Sequence, residues 1–427
     1  MKPVPWFVAC AIAGCAAVGG VWPAAAQTRS PEPSSTLAAA AAEHPRVPLA
    51  EAVEAAWQRA VQAREAQAQG RRAQAEQTAA SSLWAAPPAL ELSHRNDRWQ
   101  TNAGRRESEI GVALPLWQPG QRDARSAAAG AELQLADAQT QAARLRVAGQ
   151  VREAAWRWSA AQAEADASGA QLQYLQHLAD DVQRRVHSGD LARADALAAR
   201  AELLEAQSLR GEVGQRLQAA QTQWRNLTGL EAMPEVATPP PSLAGLDRPT
   251  SEAHPELRLA AQAVERARKR VEVVNTSRRD APELLLRYRE ESPGTGQSAQ
   301  RSVGIGVRIP FGTDGRNAPL QAAALGELDV AETTELRLRE KHQADLGLAR
   351  SAVRNAARQL EDTRDRAALL RERTQLIDKS FKAGETPLPE LLRAANAAAQ
   401  ADAALARQQA ALGLAQAQLQ QTLGFLP

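Results

Sequence analysis

Four short stretches of the chain alternate between apolar residues and polar or small ones, a pattern that is typical of β-strands with two different faces. The clearest is SVGIGVRIPF (residues 302–311), in which every second residue from Val303 onward is apolar. The other three stretches lie at 88–96, 109–116 and 282–290. Turn-rich segments separate the two members of each pair, so the sequence predicts two β-hairpins, at 87–117 and at 282–311.

Most of the remaining chain predicts helix, because Ala, Leu, Glu, Arg and Gln dominate it. One segment has no proline from Gly120 to about Val186, which predicts a helix of about 100 Å at ~1.5 Å per residue. A second runs from about Pro319 to Phe381. A glycine break and a shorter helix follow each, so we expect helical hairpins at 120–230 and 316–425. Shorter helices are expected ahead of the β-hairpins, at about 48–83 and 251–278.

The two halves of the chain are copies of one unit. From Gly111 to Gly229, some 120 residues, the first half aligns without a gap with the second at a fixed offset of 195 positions. The offset links these residues in pairs: Pro115 and Pro310, Gly120 and Gly315, Gly189 and Gly384, Gly229 and Gly424. Prolines and glycines that recur at one spacing distinguish a true repeat from a shared alanine-rich composition.

The helix break of the second copy, SFKAGETPLPELL (380–392), places a glycine and two prolines inside an otherwise helical segment. Gly189 and Gly384 can take the positive φ of a tight reversal, and Pro387 suits the first turn of the next helix. Acidic residues recur at equivalent places in the two breaks: Asp190 and Asp195, Glu385 and Glu390. These carboxylates serve either as helix caps, which the dipole favours, or as entrance groups that attract cations or a docking protein.

The first 26 residues are typical of a signal peptide, with Lys2, an apolar run and Ala24-Ala25-Ala26 ahead of Gln27. Both cysteines, Cys10 and Cys15, lie in this segment. The stretch IAGC at 12–15 also resembles a lipobox, so acylation of Cys15 is the alternative to cleavage after Ala26. The other expected divisions are an N-terminal extension (27–47), a first repeat (48–230), a proline-rich equatorial linker (231–250) and a second repeat (251–427).

The helix lengths indicate how the short helices are arranged. The segment 190–229 is too short to retrace the long helix before it, and 251–278 has about the missing length. We therefore expect these two segments to stack end to end, with residues 230–250 forming a belt at the join.

Charge and composition exclude several classes of function. A net charge of +2 over 427 residues gives no electrostatic reason for nucleic-acid binding. The six histidines are scattered, and no spacing of His, Cys, Asp or Glu is typical of a catalytic or metal site. We therefore expect no enzymatic activity, no cofactor and no tightly bound metal.

The four strands allow two interpretations. One is a small half-buried sheet in a soluble protein, and the helices would then suit a rod-like periplasmic coiled-coil scaffold. The other is a transmembrane β-barrel, since strands of about ten residues cross a bilayer when tilted. Four strands cannot close a barrel, so several chains would have to share one. A signal peptide with no later apolar run of ~20 residues favours this second interpretation.

Taken together, these features resemble the outer-membrane efflux proteins, the TolC-type channels, over essentially the whole mature chain. The resemblance rests on the duplicated unit, on the strand ends LPLWQPGQR and IPFGTDGRN, and on a Gly-acid turn inside each helical segment. It implies a fold that is mainly α with a small β part, in which long helical hairpins form a periplasmic tunnel. Four transmembrane strands per chain would give a 12-stranded barrel in a homotrimer surrounded by outer-membrane lipid.

The resemblance also implies a function and partners. The chain would be a passive exit duct that works with a periplasmic adaptor protein and an inner-membrane pump. The tip AGETPLPELL resembles the heavy-metal (cobalt–zinc–cadmium) branch, whose pumps are resistance-nodulation-division transporters; the first tip, GDLARADAL, lacks these prolines. The family's barrel–helix junction falls on Pro115, Gly120, Pro310 and Gly315. A channel of the same fold for organic compounds or for a secreted polypeptide is the alternative.

Overall fold

The structure is a computed structural model that describes residues 46–236, 254–311 and 314–427. The predicted signal peptide, the extension up to residue 45 and residues 237–250 of the predicted linker lie outside these ranges. The helices are α1 Leu49–Arg59, α2 Val61–Ala80, α3 Gln121–Ser188, α4 Arg193–Thr228, α5 Pro255–Thr276, α6 Asp314–Lys382 and α7 Leu388–Thr422. The strands are β1 Arg46–Pro48, β2 Ala89–Asn96, β3 Arg106–Pro115, β4 Met233–Glu235, β5 Glu283–Ser292 and β6 Gln300–Arg308.

The protein is mostly helical with a small β part, and it consists of two copies of one unit, as the sequence predicts. In each copy, helix, β-hairpin, long helix and a second helix follow one another along the chain. The long helices α3 and α6 have 68 and 69 residues. At ~1.5 Å per residue, each is about 100 Å long.

The two β-hairpins join into one antiparallel sheet with the strand order β2-β3-β5-β6. The copies meet where β3 pairs with β5, in a register that sets Ile110 opposite Tyr288. Because successive side chains alternate between faces, this register collects most of the large apolar residues of the four strands on one face. The exposed or half-buried members of this apolar face are Leu90, Leu92, Ile110, Val112, Leu114, Leu284, Leu286, Tyr288, Val303, Ile305 and Val307.

A parallel pair of three-residue strands, which the sequence analysis missed, joins β1 to β4. It brings the start of the first copy next to the segment that follows α4. Val47 of β1 is buried in a cluster with Trp158 and Trp224, whose rings meet edge to face at 6.1 Å between centroids. The short strands therefore close the end of the first helical hairpin.

The predicted stacking of 190–229 on 251–278 is wrong. Within the described residues, α4 makes no contact with α5. Instead α4 ends against α1, where the position of a Cβ on Gly229 lies 3.0 Å from the Arg59 guanidinium. Likewise α7 ends against the start of α5. Gly424 approaches His254 so closely that a Cβ on the glycine would lie 2.8 Å from the histidine ring. The second helix of each hairpin therefore ends against a short helix of the same copy, α4 against α1 and α7 against α5. The helix lengths alone could not show this.

Two helix boundaries also differ from the prediction. The segment predicted as one helix over 48–83 is two helices, because Ala60 adopts an extended backbone (φ −67°, ψ 137°). The second long helix begins at Asp314, ahead of the predicted Pro319, and Pro319 lies within it. The amide that Pro319 lacks would have bonded the carbonyl of Gly315, an exposed first-turn residue that water can reach.

Small residues let the helices approach closely. The buried positions of α3 are mostly alanine, and the buried positions of α7 are mostly alanine and leucine. Among the described residues, no helix is both long enough and apolar enough to span a membrane.

Candidate functional site

The two helix breaks have the same backbone geometry. Gly189 and Gly384 have φ of 86° and 82°, the left-handed region that the sequence predicts for a tight reversal. In the first break the amide of Asp190 donates to the carbonyl of Arg185, and in the second the amide of Glu385 donates to that of Ser380. These bonds satisfy carbonyls that the end of a helix would otherwise leave unpaired.

The acidic residues that follow the breaks occupy the third position of the next helix in both copies. The carboxylate of Asp195 accepts a hydrogen bond from the amide of Ala192, the residue that caps α4. At the equivalent place in α7 stands Pro387, which has no amide to donate. Glu390 instead accepts from Arg373 at 2.9 Å and from Arg393 at 3.3 Å. The second copy has Pro387 where the first has Ala192, and Asp195 and Glu390 therefore have different partners.

Pro387 lies at the N-cap of α7, with extended backbone (φ −74°, ψ 151°), and not in the first turn of the helix as the sequence predicts. Pro389 takes the second helical position instead, where a missing amide costs nothing. The two remaining acids lie on the turns themselves. Asp190 accepts from the Ser188 hydroxyl at 2.8 Å, and Glu385 lies 3.5 Å from the Ser380 hydroxyl.

The structure brings the two breaks to the same end of the molecule. Phe381, Leu388 and Leu391 of the second break are buried against apolar residues of α3 and α4. The guanidinium of Arg185 lies over the ring of Phe381, 5.0 Å from its centroid. The second break is thus packed onto the first hairpin. Burial, and more weakly Asp378, raise the pKa of the nearby Tyr174 hydroxyl to about 12.

The residues predicted for the barrel–helix junction differ between copies. Pro115 ends β3, and its carbonyl accepts from the amide of Ala85; Gly120 caps α3 with a φ of 75°. Pro310 follows β6, but Gly315 lies in the first turn of α6 and is not among the glycines with positive φ. Gly120 and Gly315 therefore have different roles in the two copies. Of the two, only Gly120 needs the left-handed backbone conformation.

Two buried glutamines, which sequence reasoning missed, hold the first junction together. The side chain of Gln118 donates to the carbonyl of Arg279 at 2.6 Å, and that of Gln121 donates to the Ser277 hydroxyl at 3.2 Å. Both bonds tie the start of α3 to the segment between α5 and β5. The only sequence signal was the run WQPGQ, in which both glutamines flank the turn.

The face of the sheet opposite the apolar face carries a ladder of charges. Arg287 lies 3.3 Å from Glu109 and 3.8 Å from Glu91. One register step away, Arg289 lies 3.0 Å from Glu107 and 2.8 Å from Glu291. Alternate residues of the same strands thus present hydrocarbon on one side and paired ions on the other.

A polar cluster around the buried Arg152 lies where α7 ends on α3. The guanidinium of Arg152 donates to Gln421 Oε1 at 2.7 Å and to the carbonyl of Phe425 at 2.6 Å, and Gln421 Nε2 donates to the carbonyl of Leu145 at 2.8 Å. Burial lowers the pKa of Arg152 to about 10. Sequence reasoning gave no hint of this cluster, because one arginine among many carries no pattern.

Two of the scattered histidines meet in space. The rings of His254 and His342 lie 4.6 Å apart between centroids. His254 caps α5, and its Nδ1 accepts from the amide of Glu256 at 3.2 Å. Burial first, and then His342, lower the pKa of His254, while the backbone of Gln421 and the charge of Glu256 oppose that shift. The described residues contain no group of three or more His, Cys, Asp or Glu side chains that could hold a metal ion.

The fold is that of known outer-membrane channels. The outer membrane protein VceC from Vibrio cholerae superposes with a TM-score of 0.71 at 16% identity, over 88% of this chain and 96% of that one. The CmeC outer membrane channel of Campylobacter jejuni gives 0.71 at 16%, over 88% and 85% of the two chains. The MtrE outer membrane channel of Neisseria gonorrhoeae gives 0.69 at 16%, over 90% and 89%. No protein-family model and no curated protein matches the sequence.

Proposed function

We propose that three copies of this chain form a passive duct through the outer membrane, and that the duct is the exit of a tripartite efflux system. The observation that carries the proposal is the sheet, whose apolar face is exposed along its length: Val303, Ile305 and Val307 are 80%, 75% and 60% exposed. A soluble scaffold would leave this hydrocarbon in water, at about 25 cal/mol per Å². A bilayer covers it.

The two edges of the sheet support an assembly of several copies. Within the described residues, β2 and β6 each have a neighbouring strand on one side only. An open edge is not tolerated in lipid, where unpaired backbone groups cost several kcal/mol each. Because β2 and β6 run antiparallel in this four-stranded order, β6 of one copy can accept β2 of the next without breaking the alternation. Three copies then close a barrel of twelve strands.

The charged face would line the barrel, and its pairing suits a passive duct. Arg287 and Arg289 are each neutralised by glutamates within the same chain. Such pairs leave neither a concentrated field nor a set of free ligands to trap a passing ion. Export then depends on the pump for its energy, and no chemical step by this chain is required.

The two helix breaks would form the periplasmic entrance. Their identical turns bring Asp190 and Glu385 to the same end of the long helices, about 100 Å of helix away from the sheet. An adaptor protein and a resistance-nodulation-division transporter are the partners we propose at this end. The barrel–helix junctions at Pro115, Gly120, Pro310 and Gly315 would lie at the membrane boundary.

Heavy-metal cations are the cargo we propose, on the resemblance of the second tip to the heavy-metal branch. Deletion of the gene should then raise sensitivity to zinc, cobalt, cadmium or copper, while dye sensitivity stays unchanged, and the wild-type gene should restore tolerance. Raised dye sensitivity alone would favour the alternative, a duct for organic compounds. Unchanged metal tolerance in cells with a working pump refutes the metal assignment.

The channel assignment has a separate test with a matched pair of variants. Val303→Glu places a carboxylate on the apolar face, and Ser302→Glu places one on the opposite face. We expect wild type and Ser302→Glu to be recovered from outer membranes as heat-modifiable trimers, and Val303→Glu to be lost from that fraction. Recovery of all three as soluble protein would favour a periplasmic scaffold.

A further inference from the structure

The loop between β2 and β3 concentrates positive charge and one tryptophan at the end of the sheet farthest from the helices. Its sequence from 95 to 106 is RNDRWQTNAGRR, with four arginines and a single acid. Trp99 is 92% exposed. The equivalent stretch of the second copy, 290–301, has two glutamates and one arginine, which pairs with Glu290. The feature therefore belongs to one copy and is not a property of the repeat.

Among the described residues, three of these arginines have no acidic partner. The one acid of the loop, Asp97, is engaged by the loop itself: its Oδ2 accepts from the Thr101 hydroxyl at 2.9 Å and from the amide of Ala103 at 2.7 Å. Arg95 faces Glu107 at 3.9 Å. In the part of the chain that the structure describes, Arg98, Arg105 and Arg106 form no ion pair. Their charge is available to a partner.

The loop has a fixed shape. Asn102 and Gly104 both have positive φ, 45° and 83°. The carbonyl of Ala103 accepts from the amide of Thr295 at 2.9 Å, which ties the loop to the second hairpin. A Cβ on Gly104 would lie 2.4 Å from the Thr295 hydroxyl oxygen, so the two loops are in close contact. The arginines are therefore displayed from an ordered support rather than from a free chain end.

The register sets the loop just above the apolar face. Arg106 shares that face with Ser108 and Ile110, and Ile110 lies level with Tyr288 at the upper limit of the hydrocarbon band. At ~3.4 Å per residue, Arg106 is about 14 Å along the strand beyond Ile110. In a tilted strand, this is the depth of lipid headgroups. Tyr288 and Trp99 flank that level, as aromatic residues do at membrane interfaces.

We propose that the β2–β3 loop binds the phosphate groups of lipids in the leaflet around the outer end of the barrel. This inference rests on the proposed membrane insertion. Guanidinium groups bind phosphate oxygens with two parallel hydrogen bonds, which lysine cannot do. Arg98, Arg105 and Arg106 supply three such groups, and the indole of Trp99 inserts beside the headgroups. Lipids held in this way would fix the height and tilt of the barrel in its leaflet.

The test uses the full-length trimer in neutral detergent. Titration with lipid A that carries its phosphates, followed by native mass spectrometry, should show bound lipid. Arg98→Gln/Arg105→Gln/Arg106→Gln should weaken binding by about a hundredfold, since each cation near an anionic surface contributes roughly fivefold. The control Arg71→Gln/Arg200→Gln/Arg354→Gln removes the same charge from exposed helix positions and should bind as wild type does. Trp99→Ala should weaken binding more modestly.

Three results would overturn the inference. One is wild-type affinity in the loop variant when that variant still forms trimers; another is equal binding of dephosphorylated lipid A. The third is displacement of the lipid by inorganic phosphate at equal concentration, which would indicate a site for a free anion. If wild type and both triple variants form no trimer and stay out of the membrane, the proposed function itself fails, and the loop variant is not the cause.

Discussion

The ring of Trp156 on α3 lies where a side chain at Gly413 on α7 would be. A Cβ at position 413 would come within 2.1 Å of Trp156 Cη2. This pair joins the long helix of the first copy to the short helix of the second. The glycine is therefore required by close approach between the copies and not by backbone conformation.

Gly413→Ala should destabilise the protein by about 1–3 kcal/mol, because the indole cannot move without disturbing its packed surroundings. Thermal or denaturant unfolding measures the loss. Gly130→Ala is the control, since no atom beyond the adjacent residues and the backbone of its own helix lies within 4 Å of its Cβ position, and alanine is the better helix former. If Gly413→Ala is as stable as wild type, the two helices do not approach as described.

Stability should fall as the pH drops below about 6.5, the ordinary pKa of histidine. The pKa of His254 is lowered in the folded state, by burial and by His342, so the unfolded chain binds the proton first. Above pH 6.5 both states are neutral there and the contribution vanishes; below it, unfolding is favoured until the folded His254 also protonates. The groups that face this ring are His342 from α6, Glu256 from α5 and the backbone of Gln421 from α7.

His254→Asn isolates this effect, because asparagine also caps helices and can accept from the amide of Glu256. The variant should lose part of the pH dependence between 5 and 7 in urea unfolding. His187→Asn, an exposed position beside the first break, should keep it. Equal pH profiles for wild type and His254→Asn would contradict the assignment.

Arg152→Ala should cost about 1–3 kcal/mol, because it leaves the half-buried Gln421 side chain and the Phe425 carbonyl without their donor. Arg157→Ala, on the same helix with an exposed ion pair to Glu153, should cost less than about 1 kcal/mol. Denaturant midpoints compare the two. Equal effects would mean that the end of α7 is held by other contacts.

The acids at the helix breaks should separate into two classes. The carboxylate of Asp195 caps α4 and that of Glu390 is ion-paired with Arg373, so Asp195→Asn/Glu390→Gln should leave cation export unchanged. Asp190→Asn/Glu385→Gln removes charge from the turns themselves and should lower export severalfold at low salt, where such fields act over ~10 Å or more. Metal tolerance of complemented deletion cells measures both. The reverse ranking would assign the entrance role to the helix-capping acids.

Local sequence patterns were sufficient to predict the strands and helix reversals that occur in both copies. Alternation gave the strands near Val303 and Ile110, and the glycines at 189 and 384 gave the reversals, because backbone conformation there depends on residue type. The sequence did not indicate which helices contact each other. Length alone suggested that α4 meets α5, whereas the contacts of Gly229 and Gly424 keep each copy closed on itself.

The parts of the candidate site that were not predicted consist of residues that are distant in sequence but in contact in the fold. Arg152 and Gln421, or His254 and His342, are far apart in sequence and carry no local signal. The role of Glu390 changed for a chemical reason that the sequence did contain: Pro387 lacks the amide that its counterpart Ala192 offers. The equivalence of Gly120 and Gly315 failed because α6 begins earlier than α3 does relative to the repeat.

Cross-linking between copies tests the central claim most directly. Leu92→Cys on β2 is combined with Val303→Cys, Ile305→Cys or Val307→Cys on β6, and outer membranes are treated with a short bifunctional thiol reagent. If β6 of one copy pairs with β2 of the next in a closed barrel, at least one combination should give covalent dimers and trimers, and the ladder should stop at three. Monomers in every combination, or a ladder that continues beyond three, would contradict it.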